Sequence, residues 1–318
     1  MTNEEMINPG TCVTARASVD EPGFTLRDAT VAIVGLGLMG GSLALALRER
    51  NVCRRIVAVT SNAATREQLL ARGIVDEAGA ELERVSTADL IVLAAPVRTI
   101  VAALPRVGAI AHAGAIVIDL GSTKREIVDA MESLPAQIQP IGGHPMCGKE
   151  KAGFSAADVN LYHDAVFVLT PLARTSADTL ALAKTLAEAV GARPLVLDPA
   201  RHDRITAAIS HLPCTLATAL MLTADEHARD DESTFALAAS GFRDTTRLAA
   251  SDVTMMLDIL LTNRENVAAL MRACSRWLDH LAELIADGDE SALRAALERA
   301  ATKRRELFPW HLRSRQGK

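Results

Sequence analysis

The stretch VAIVGLGLMG, residues 31–40, joins a run of apolar, β-forming residues to a glycine-rich turn. A strand that leads through GxGxxG into a helix, with a second strand about twenty residues later, is typical of a dinucleotide-binding βαβ unit. Gly35 permits the tight turn, Gly37 lets a pyrophosphate approach the backbone, and Gly40 lets the helix pack closely on the strand. The residues expected to bind the cofactor phosphates are Gly35, Gly37, Leu38, Met39 and Gly40.

Short β-forming runs alternate with helical segments from Thr30 to Asp198. This alternation is typical of a parallel sheet covered by helices on both faces. The predicted strands are 31–34, 56–60, 90–94, 116–120, 138–141, 166–169 and 194–197. The helices predicted after Asp198 are 201–229, 236–250, 253–261, 264–286 and 290–307. We therefore predict an α/β fold, a doubly wound Rossmann-type parallel sheet followed by an all-helical dimerisation domain.

The 318 residues suffice for roughly two domains. We expect a flexible N-terminal arm at 1–28, a dinucleotide-binding domain at 29–198, a helical substrate and dimerisation domain at 199–308, and a basic tail at 309–318. The helix predicted at 264–286 has apolar residues at spacings of four and three, the pattern of a seam that packs on another helix. That partner is either an intrachain neighbour or a second copy of the chain. The seam consists of Val267, Met271, Cys274, Leu278, Leu281 and Ile285.

Composition excludes several classes of partner. A net charge of −5 and 3% aromatic residues argue against nucleic acid, so a small-molecule substrate is expected. No stretch approaches the ~18 apolar residues of a membrane helix, and the first 28 residues lack the apolar core of a signal peptide. The five cysteines are odd in number and form no CxxC, which indicates neither a disulfide framework nor a metal site. A cytoplasmic location fits best.

The end of the second predicted strand, residues 59–62, is Val-Thr-Ser-Asn and contains no carboxylate. NAD-binding folds commonly hold the ribose hydroxyls with an Asp or Glu at this point. Here a 2′-phosphate would meet the donors of Thr60, Ser61 and Asn62, with Arg66 one helical turn further on. The cofactor is therefore expected to be NADP or NAD, with NADP favoured. Ser61 and Asn62 are equally compatible with the N-cap of the next helix.

The sequence DLGSTK, which ends at Lys124, follows the fourth predicted strand at the carboxyl edge of the sheet, where such folds bind ligands. Thr123 and Glu126 have the spacing of a capping box for the following helix. This leaves Ser122 and Lys124 free to face the cofactor. Lys124 and Pro96, which comes after the third predicted strand, are placed among the cofactor contacts.

The next predicted strand leads into GGHPMCGKE, in which His144 is preceded by two glycines and followed by Pro145. A loop histidine is more often structural. One presented in this way at the carboxyl edge of the sheet, beside a nicotinamide, is better interpreted as a general base. Its proton uptake is expected near the ordinary histidine pKa of about 6.5.

Two segments of the helical domain carry further candidates. In SHLPC, His211 and Cys214 flank Pro213, which lacks a backbone N–H and bends a helix. In GFRDTTR, Arg243 and Arg247 are four residues apart, so both guanidinium groups are expected on one face of a helix. The aspartate next to Arg243 is also compatible with a simple surface ion pair.

Six motifs, in this order and spacing, resemble the prephenate and arogenate dehydrogenase family. They are GLGLMGGS at 35–42, DLGSTK at 119–124, GGHPMCGKEKAG at 142–153, LTP at 169–171, SHLP at 210–213 and GFRDTTR at 241–247. The resemblance covers roughly residues 31–307, and HPM-x-G and GF-x-D-x-x-R are its specific parts.

The resemblance implies that His144 is catalytic, that Ser122 orients it, and that Arg247 holds the ring carboxylate of a cyclohexadienyl acid. It also implies a dimer built through the helical domains. The chain departs from the family at Cys214, where many relatives have a second histidine, and at Cys147, where most have alanine. The remaining candidates for substrate contact are His211, Arg243, Cys214 and Glu150, the last for a substrate ammonium.

The implied reaction is oxidative decarboxylation of prephenate or arogenate, with hydride transfer to the nicotinamide cofactor, on the route to tyrosine. Two alternatives remain open. One is another two-domain NAD(P)-dependent reductase, of the imine or 3-hydroxyacid type, which would explain the glycine loop but not HPM and GFRDTTR together. The other is a cofactor-binding regulator without turnover.

Overall fold

The computed structural model describes residues 24–149 and 151–308. The expectations for the first 23 residues of the arm, for Glu150 and for the tail from residue 309 lie outside these ranges. The strands are β1 Thr30–Val34, β2 Arg55–Val59, β3 Glu77–Gly79, β4 Leu90–Leu93, β5 Ile116–Asp119, β6 Gln139–Pro145, β7 Val166–Pro171 and β8 Arg193–Val196. The helices are α1 Leu38–Glu49, α2 Ala63–Ala71, α3 Val97–Ile110, α4 Arg125–Met131, α5 Ala177–Ala189, α6 Pro199–Thr206, α7 Leu212–Ala228, α8 Ser240–Thr246, α9 Val253–Thr262, α10 Arg264–Ala286 and α11 Glu290–Leu307.

The strands form one sheet in the order β3-β2-β1-β4-β5-β6-β7-β8. The strand order reverses between β1 and β4, which is where open α/β sheets bind ligands. Both faces of the sheet are covered by helices. The face with α1 and α5 buries Leu43 and Leu186, and the face with α3 and α4 buries Leu104 and Ile127. The Rossmann-type sheet and the helical domain after it confirm the predicted fold class.

One strand pair departs from the predicted parallel sheet, because β7 runs antiparallel to β6. Among the described residues between them, the only helical element is the 3-10 turn Phe154–Ala156. The segment 151–165, whose Tyr162 is fully buried, crosses the α1 face and returns the chain to the edge where β6 ended. Strand β3 was not predicted from the sequence, because its three residues are too few to show a periodic pattern.

Two of the predicted helices are interrupted. The helix expected at 201–229 is divided by a π-helical turn, Ala207–His211. Pro213 explains this, because it has no N–H for the carbonyl four residues earlier, and one extra residue widens the turn. The helix expected at 236–250 breaks into 3-10 turns on either side of α8. The hydroxyls of Thr245 and Thr246 bond the carbonyls four residues back, a contact that bends helices.

Two buried aspartates of the helical domain cap helices of the sheet domain. The carboxylate of Asp203 on α6 accepts from the backbone nitrogens of Lys124 and Arg125, at 2.8 and 3.0 Å, where α4 begins. The carboxylate of Asp258 on α9 accepts from the backbone nitrogen of Arg98 at 3.1 Å, in the first turn of α3, and from its Nε at 2.5 Å. Because helix N-termini carry unpaired N–H groups and partial positive charge, these carboxylates hold the two domains together.

Within the described ranges, the run Pro199–Ala228 is by length and composition apolar enough to cross a membrane. Its polar residues His202, Asp203 and His211 are buried and hydrogen-bonded inside the protein.

The apolar seam predicted on α10 is only partly covered by other residues of this chain. Val267 is buried, whereas Met271, Leu278 and Ile285 are 43%, 57% and 66% exposed.

Candidate active site

The glycine loop after β1 has the geometry of a pyrophosphate site. Gly35 has φ +95°, and a Cβ there would lie 2.3 Å from the carbonyl oxygen of Ala94. A Cβ at Gly37 would meet nothing within 4 Å, so the backbone is open to a ligand at this point. No side chain caps the start of α1 at Leu38, and its first turn contains no acidic residue. The loop and the helix N-terminus therefore fit the phosphates of a dinucleotide.

The ribose end of the site lies after β2. The side chain of Asn62 accepts from the backbone nitrogen of Thr65 at 3.0 Å and caps α2. The guanidinium of Arg66 donates to the carbonyl of Thr60 at 2.7 Å, which keeps this cation beside the strand end. Ser61 is exposed. Asn62 therefore has the capping role that the sequence left open, and Ser61 and Arg66 remain candidates for contact with the 2′ position.

The loop after β5 is organised differently from the sequence expectation. Thr123 and Glu126 do not form a capping box, because α4 is capped by Asp203 and the Thr123 hydroxyl lies 2.8 Å from that of Thr262. Lys124 does not face the cofactor either, since its side chain is fully buried. Its ammonium pairs with Asp119 and donates to the Gly143 carbonyl at 2.6 Å. A lone charge would be too costly to bury, and this pairing explains the inward position of Lys124.

His144 lies on β6 at the carboxyl edge of the sheet. Gly143 lets β6 run close to β5, because a Cβ there would lie 2.5 Å from the Asp119 carbonyl oxygen. His144 itself is half-buried. Burial, together with the charges of His202, Lys124 and His211, holds its pKa well below the ordinary histidine value. The imidazole is therefore neutral at physiological pH, the state in which it can accept a proton.

The hydrogen-bond partner of His144 was missed in the sequence. Nδ1 of His144 lies 2.8 Å from Nε2 of His202, and Nδ1 of His202 lies 2.8 Å from Oδ1 of Asp203. Both partners are buried. Ser122, expected to orient His144, is half-buried on the loop after β5. The adjacent His-Asp pair early in the first helix of the second domain was the signal that could have been noticed.

His211, from the SHLP motif, belongs to the same buried region. Its Nδ1 lies 3.1 Å from the side-chain nitrogen of Asn263, which also donates to the Asp203 carbonyl at 2.8 Å. Burial lowers the pKa of His211 to about 4. Because the amide nitrogen can only donate, Nδ1 of His211 accepts, and Nε2 carries its proton. His211 is thus a neutral donor, linked through Asn263 to the segment that holds His202.

The two arginines of GFRDTTR do not share one helix. Arg243 lies on α8 and pairs with Asp244 at 3.4 Å on the surface, whereas Arg247 begins the following 3-10 turn. Both side chains are exposed. Cys214 on α7 is buried against this turn, with its sulfur 3.4 Å from the Leu248 carbonyl, and burial raises its pKa. Cys214 therefore anchors the segment that carries Arg247.

This combination of an open glycine loop at the strand-order reversal and a neutral His144, hydrogen-bonded to the buried His202, at the same edge defines the class of protein. The chain is a two-domain dehydrogenase that uses a nicotinamide dinucleotide. Comparison with known proteins narrows the class. The family model described as the prephenate dehydrogenase nucleotide-binding domain matches residues 43–196, and the one described as the prephenate dehydrogenase dimerization domain matches residues 198–299. The chain belongs to the prephenate dehydrogenase family.

Individual relatives agree with this assignment. Prephenate dehydrogenase of Bacillus subtilis is 32% identical over 274 residues, which cover 83% of this chain and 72% of that one. The crystal structure of A. aeolicus prephenate dehydrogenase in complex with hydroxyphenyl propionate and NAD+ has a TM-score of 0.83 and 34% identity, covering 87% of this chain and 98% of that one. Synechocystis arogenate dehydrogenase has a TM-score of 0.76 and 31% identity, with coverages of 87% and 99%.

Proposed function

We propose that this protein oxidises and decarboxylates a cyclohexadienyl acid, prephenate or arogenate, with a nicotinamide dinucleotide, in tyrosine biosynthesis. The observation that carries the proposal is a neutral, half-buried His144 at the carboxyl edge of the sheet, hydrogen-bonded to His202, in a chain of the prephenate dehydrogenase family. Nothing in this arrangement requires a metal, and the reaction class needs only a base and a hydride acceptor.

Each proposed residue has a distinct task. His144 takes the proton of the ring hydroxyl as the carbonyl forms, and Ser122, on the neighbouring loop, orients His144. Arg247 grips the ring carboxylate, and His211 donates a hydrogen bond to the substrate side chain. A bound nicotinamide supplies the acceptor for the hydride. Loss of carbon dioxide restores aromaticity, so the protein mainly supplies position and the base, which is typically worth about 10²–10⁴ in rate.

We further propose that NADP serves at least as well as NAD. Ser61 and Arg66 support this, since they offer an exposed hydroxyl and a held guanidinium beside the strand end. Pro96 is exposed between β4 and α3 and is the proposed contact on the nicotinamide side. Arg243 and Cys214 remain proposed substrate contacts, Cys214 through the turn that it anchors.

The experiment is a spectrophotometric assay that follows the absorbance of the reduced nicotinamide cofactor. Prephenate and arogenate are each tested against NAD and NADP. Reduction with either acid supports the proposal, and His144→Asn should abolish most of it while cofactor binding persists. If neither acid reduces the cofactor in a folded protein that binds it, the proposal is wrong, and a reductase of another acid or a non-catalytic regulator remains.

We propose a homodimer formed through the helical domain, with 199–308 as that domain and 29–198 as the dinucleotide domain. The exposed seam on α10 and the name of the second family model support this. Leu278→Glu should yield monomers by light scattering after gel filtration. Leu70→Glu, at a similarly exposed leucine on α2, is the matched control. The compartment we propose is the cytoplasm, because Cys53, Cys147, Cys214 and Cys274 are all free thiols.

A further inference from the structure

Three side chains form a continuous series of hydrogen bonds from two buried residues of the helical domain to the half-buried base, His144. Asp203 and His202 are neighbours on α6, with side chains 2% and 1% exposed. Oδ1 of Asp203 lies 2.8 Å from Nδ1 of His202, whose Nε2 lies 2.8 Å from Nδ1 of His144. The rings of His144 and His202 meet edge to face, with centroids 5.0 Å apart. Both nitrogens of His202 are therefore used within the protein.

The direction of each hydrogen bond follows from Asp203. Both of its oxygens accept from backbone nitrogens at the N-terminus of α4, Oδ1 from Lys124 and Oδ2 from Arg125. An ionised carboxylate only accepts, so Nδ1 of His202 carries a proton and donates it. In neutral His202, Nε2 then accepts from Nδ1 of His144. The remaining nitrogen of His144, Nε2, is left with its lone pair.

The other charged groups around the histidines are accounted for. The ammonium of Lys124, at the start of α4, is paired with Asp119 at the end of β5. His211, on the π-helical turn, accepts from Asn263 and is neutral, with a pKa of about 4. Both Lys124 and His211 disfavour a positive charge on His144. Among these contacts, Asp203 is the group that favours a positive charge on His144.

We propose that His202 and Asp203 are positioning residues for His144, which fix the tautomer with a free Nε2 and neutralise the charge that His144 gains. The inference rests on the proposed function. The proton of the substrate hydroxyl passes to Nε2 of His144, whose Nδ1–H remains hydrogen-bonded to His202. The single positive charge of this histidine pair is then balanced by Asp203. Before the substrate binds, the same contacts hold the imidazole ring of His144 in place.

The decisive comparison uses two matched variants, Asp203→Asn and Asp258→Asn. Both replace a buried carboxylate that caps a helix across the domain interface, but Asp258 contacts Arg98 and, within the part of the chain that the structure describes, no histidine. An amide at position 203 can donate to Nδ1 of His202. That reverses both hydrogen bonds and puts the proton on Nε2 of His144. We expect both variants to lose thermal stability, and only Asp203→Asn to lose on the order of 10²–10⁴-fold in kcat with little change in KM.

A second pair of variants tests His202 itself. The amide oxygen of His202→Gln can accept from Nδ1 of His144, whereas His202→Leu offers no acceptor. We expect His202→Gln to keep more kcat than His202→Leu and neither to reach wild type, because the link to Asp203 is broken in both. Equal kcat in the two variants at equal stability would contradict a positioning role.

A readout without turnover completes the test. In the full-length protein with NAD bound, long-range ¹H–¹⁵N correlation spectra of labelled histidines distinguish protonated from unprotonated ring nitrogens. We expect protonated Nδ1 and unprotonated Nε2 in both His144 and His202, and the reverse in His144 of Asp203→Asn. The opposite tautomer in wild type would overturn the inference. If wild type shows the expected tautomers but reduces no cofactor with either acid, the proposed function fails and the positioning contact stands.

Discussion

Lys124 and Asp119 form an ion pair whose side chains are both 0% exposed, in contact with Gly143 on the strand that carries His144. Asp119 also accepts from the backbone nitrogens of Gly121 and Gly143, at 2.7 and 3.0 Å. The carboxylate thus ties the loop after β5 to the strand next to it. Desolvation lowers the pKa of Lys124, while the charge of Asp119 opposes that effect. Each charge compensates the other at a position where both side chains are fully buried.

Removing one partner of this buried ion pair should lower the stability of the protein. Lys124→Met keeps the apolar stem but leaves the Asp119 carboxylate buried beside two backbone donors. We expect the free energy of unfolding to fall by about 3–5 kcal/mol, measured by urea denaturation. The double variant Asp119→Asn with Lys124→Met should recover part of the loss, since no buried charge remains. A Lys124→Met variant as stable as wild type would contradict the expected cost of leaving the Asp119 carboxylate without its partner.

The pH dependence of turnover should differ from that of an ordinary histidine. Burial is the largest cause of the lowered pKa of His144, followed by His202, Lys124 and His211. The base works only when unprotonated, so kcat falls when the pH drops through this pKa. We therefore expect kcat to stay level from neutral pH to below about 6.5, and to fall only at lower pH. This corrects the midpoint near 6.5 expected from sequence, and a kcat profile with that midpoint would contradict it.

Arg247 should contribute mainly to substrate binding. A guanidinium holds a carboxylate through two parallel hydrogen bonds, and bonds to charged groups are worth about 1.5–3 kcal/mol. We expect Arg247→Ala to raise KM roughly 10- to 100-fold with a smaller effect on kcat. Arg247→Lys should resemble it, because an ammonium cannot form the paired contact. Arg243→Ala should have a milder effect on KM, because Arg243 pairs with Asp244 on the surface. An unchanged KM in folded Arg247→Ala would assign the carboxylate to another residue.

The cofactor preference can be reversed at one position. Ser61→Asp would place a carboxylate where a 2′-phosphate is expected, and the like charges would repel. We expect kcat/KM for NADP to fall by about tenfold or more while that for NAD is kept or improved. Ser86→Asp, at an exposed serine of the same domain, controls for added charge. If wild type already prefers NAD strongly, the proposed use of NADP is wrong whatever the variant does.

The sequence by itself determined the elements that depend on neighbouring residues. The glycines at 35, 37 and 40, the alternation of strands and helices, and the position of His144 at the carboxyl edge of the sheet all arise from local spacing. The sequence placed His144 in a loop after a strand that ends at residue 141, whereas β6 continues to Pro145 and includes it. These features have short-range causes, such as a positive φ at Gly35 or the 3.6-residue period of an amphipathic helix. For that reason they were predictable without knowledge of the packing.

Only the tertiary structure decided which side chains meet. His202 lies 58 residues from His144, and Asp203 lies 79 residues from Lys124, so neither contact leaves a local pattern. Lys124 was expected at the cofactor and is buried instead, because Asp119 makes an inward ammonium favourable. The start of α4 is capped from the helical domain rather than by its own residues. Such contacts depend on how α6 docks on the sheet domain, and docking is set by packing over the whole interface.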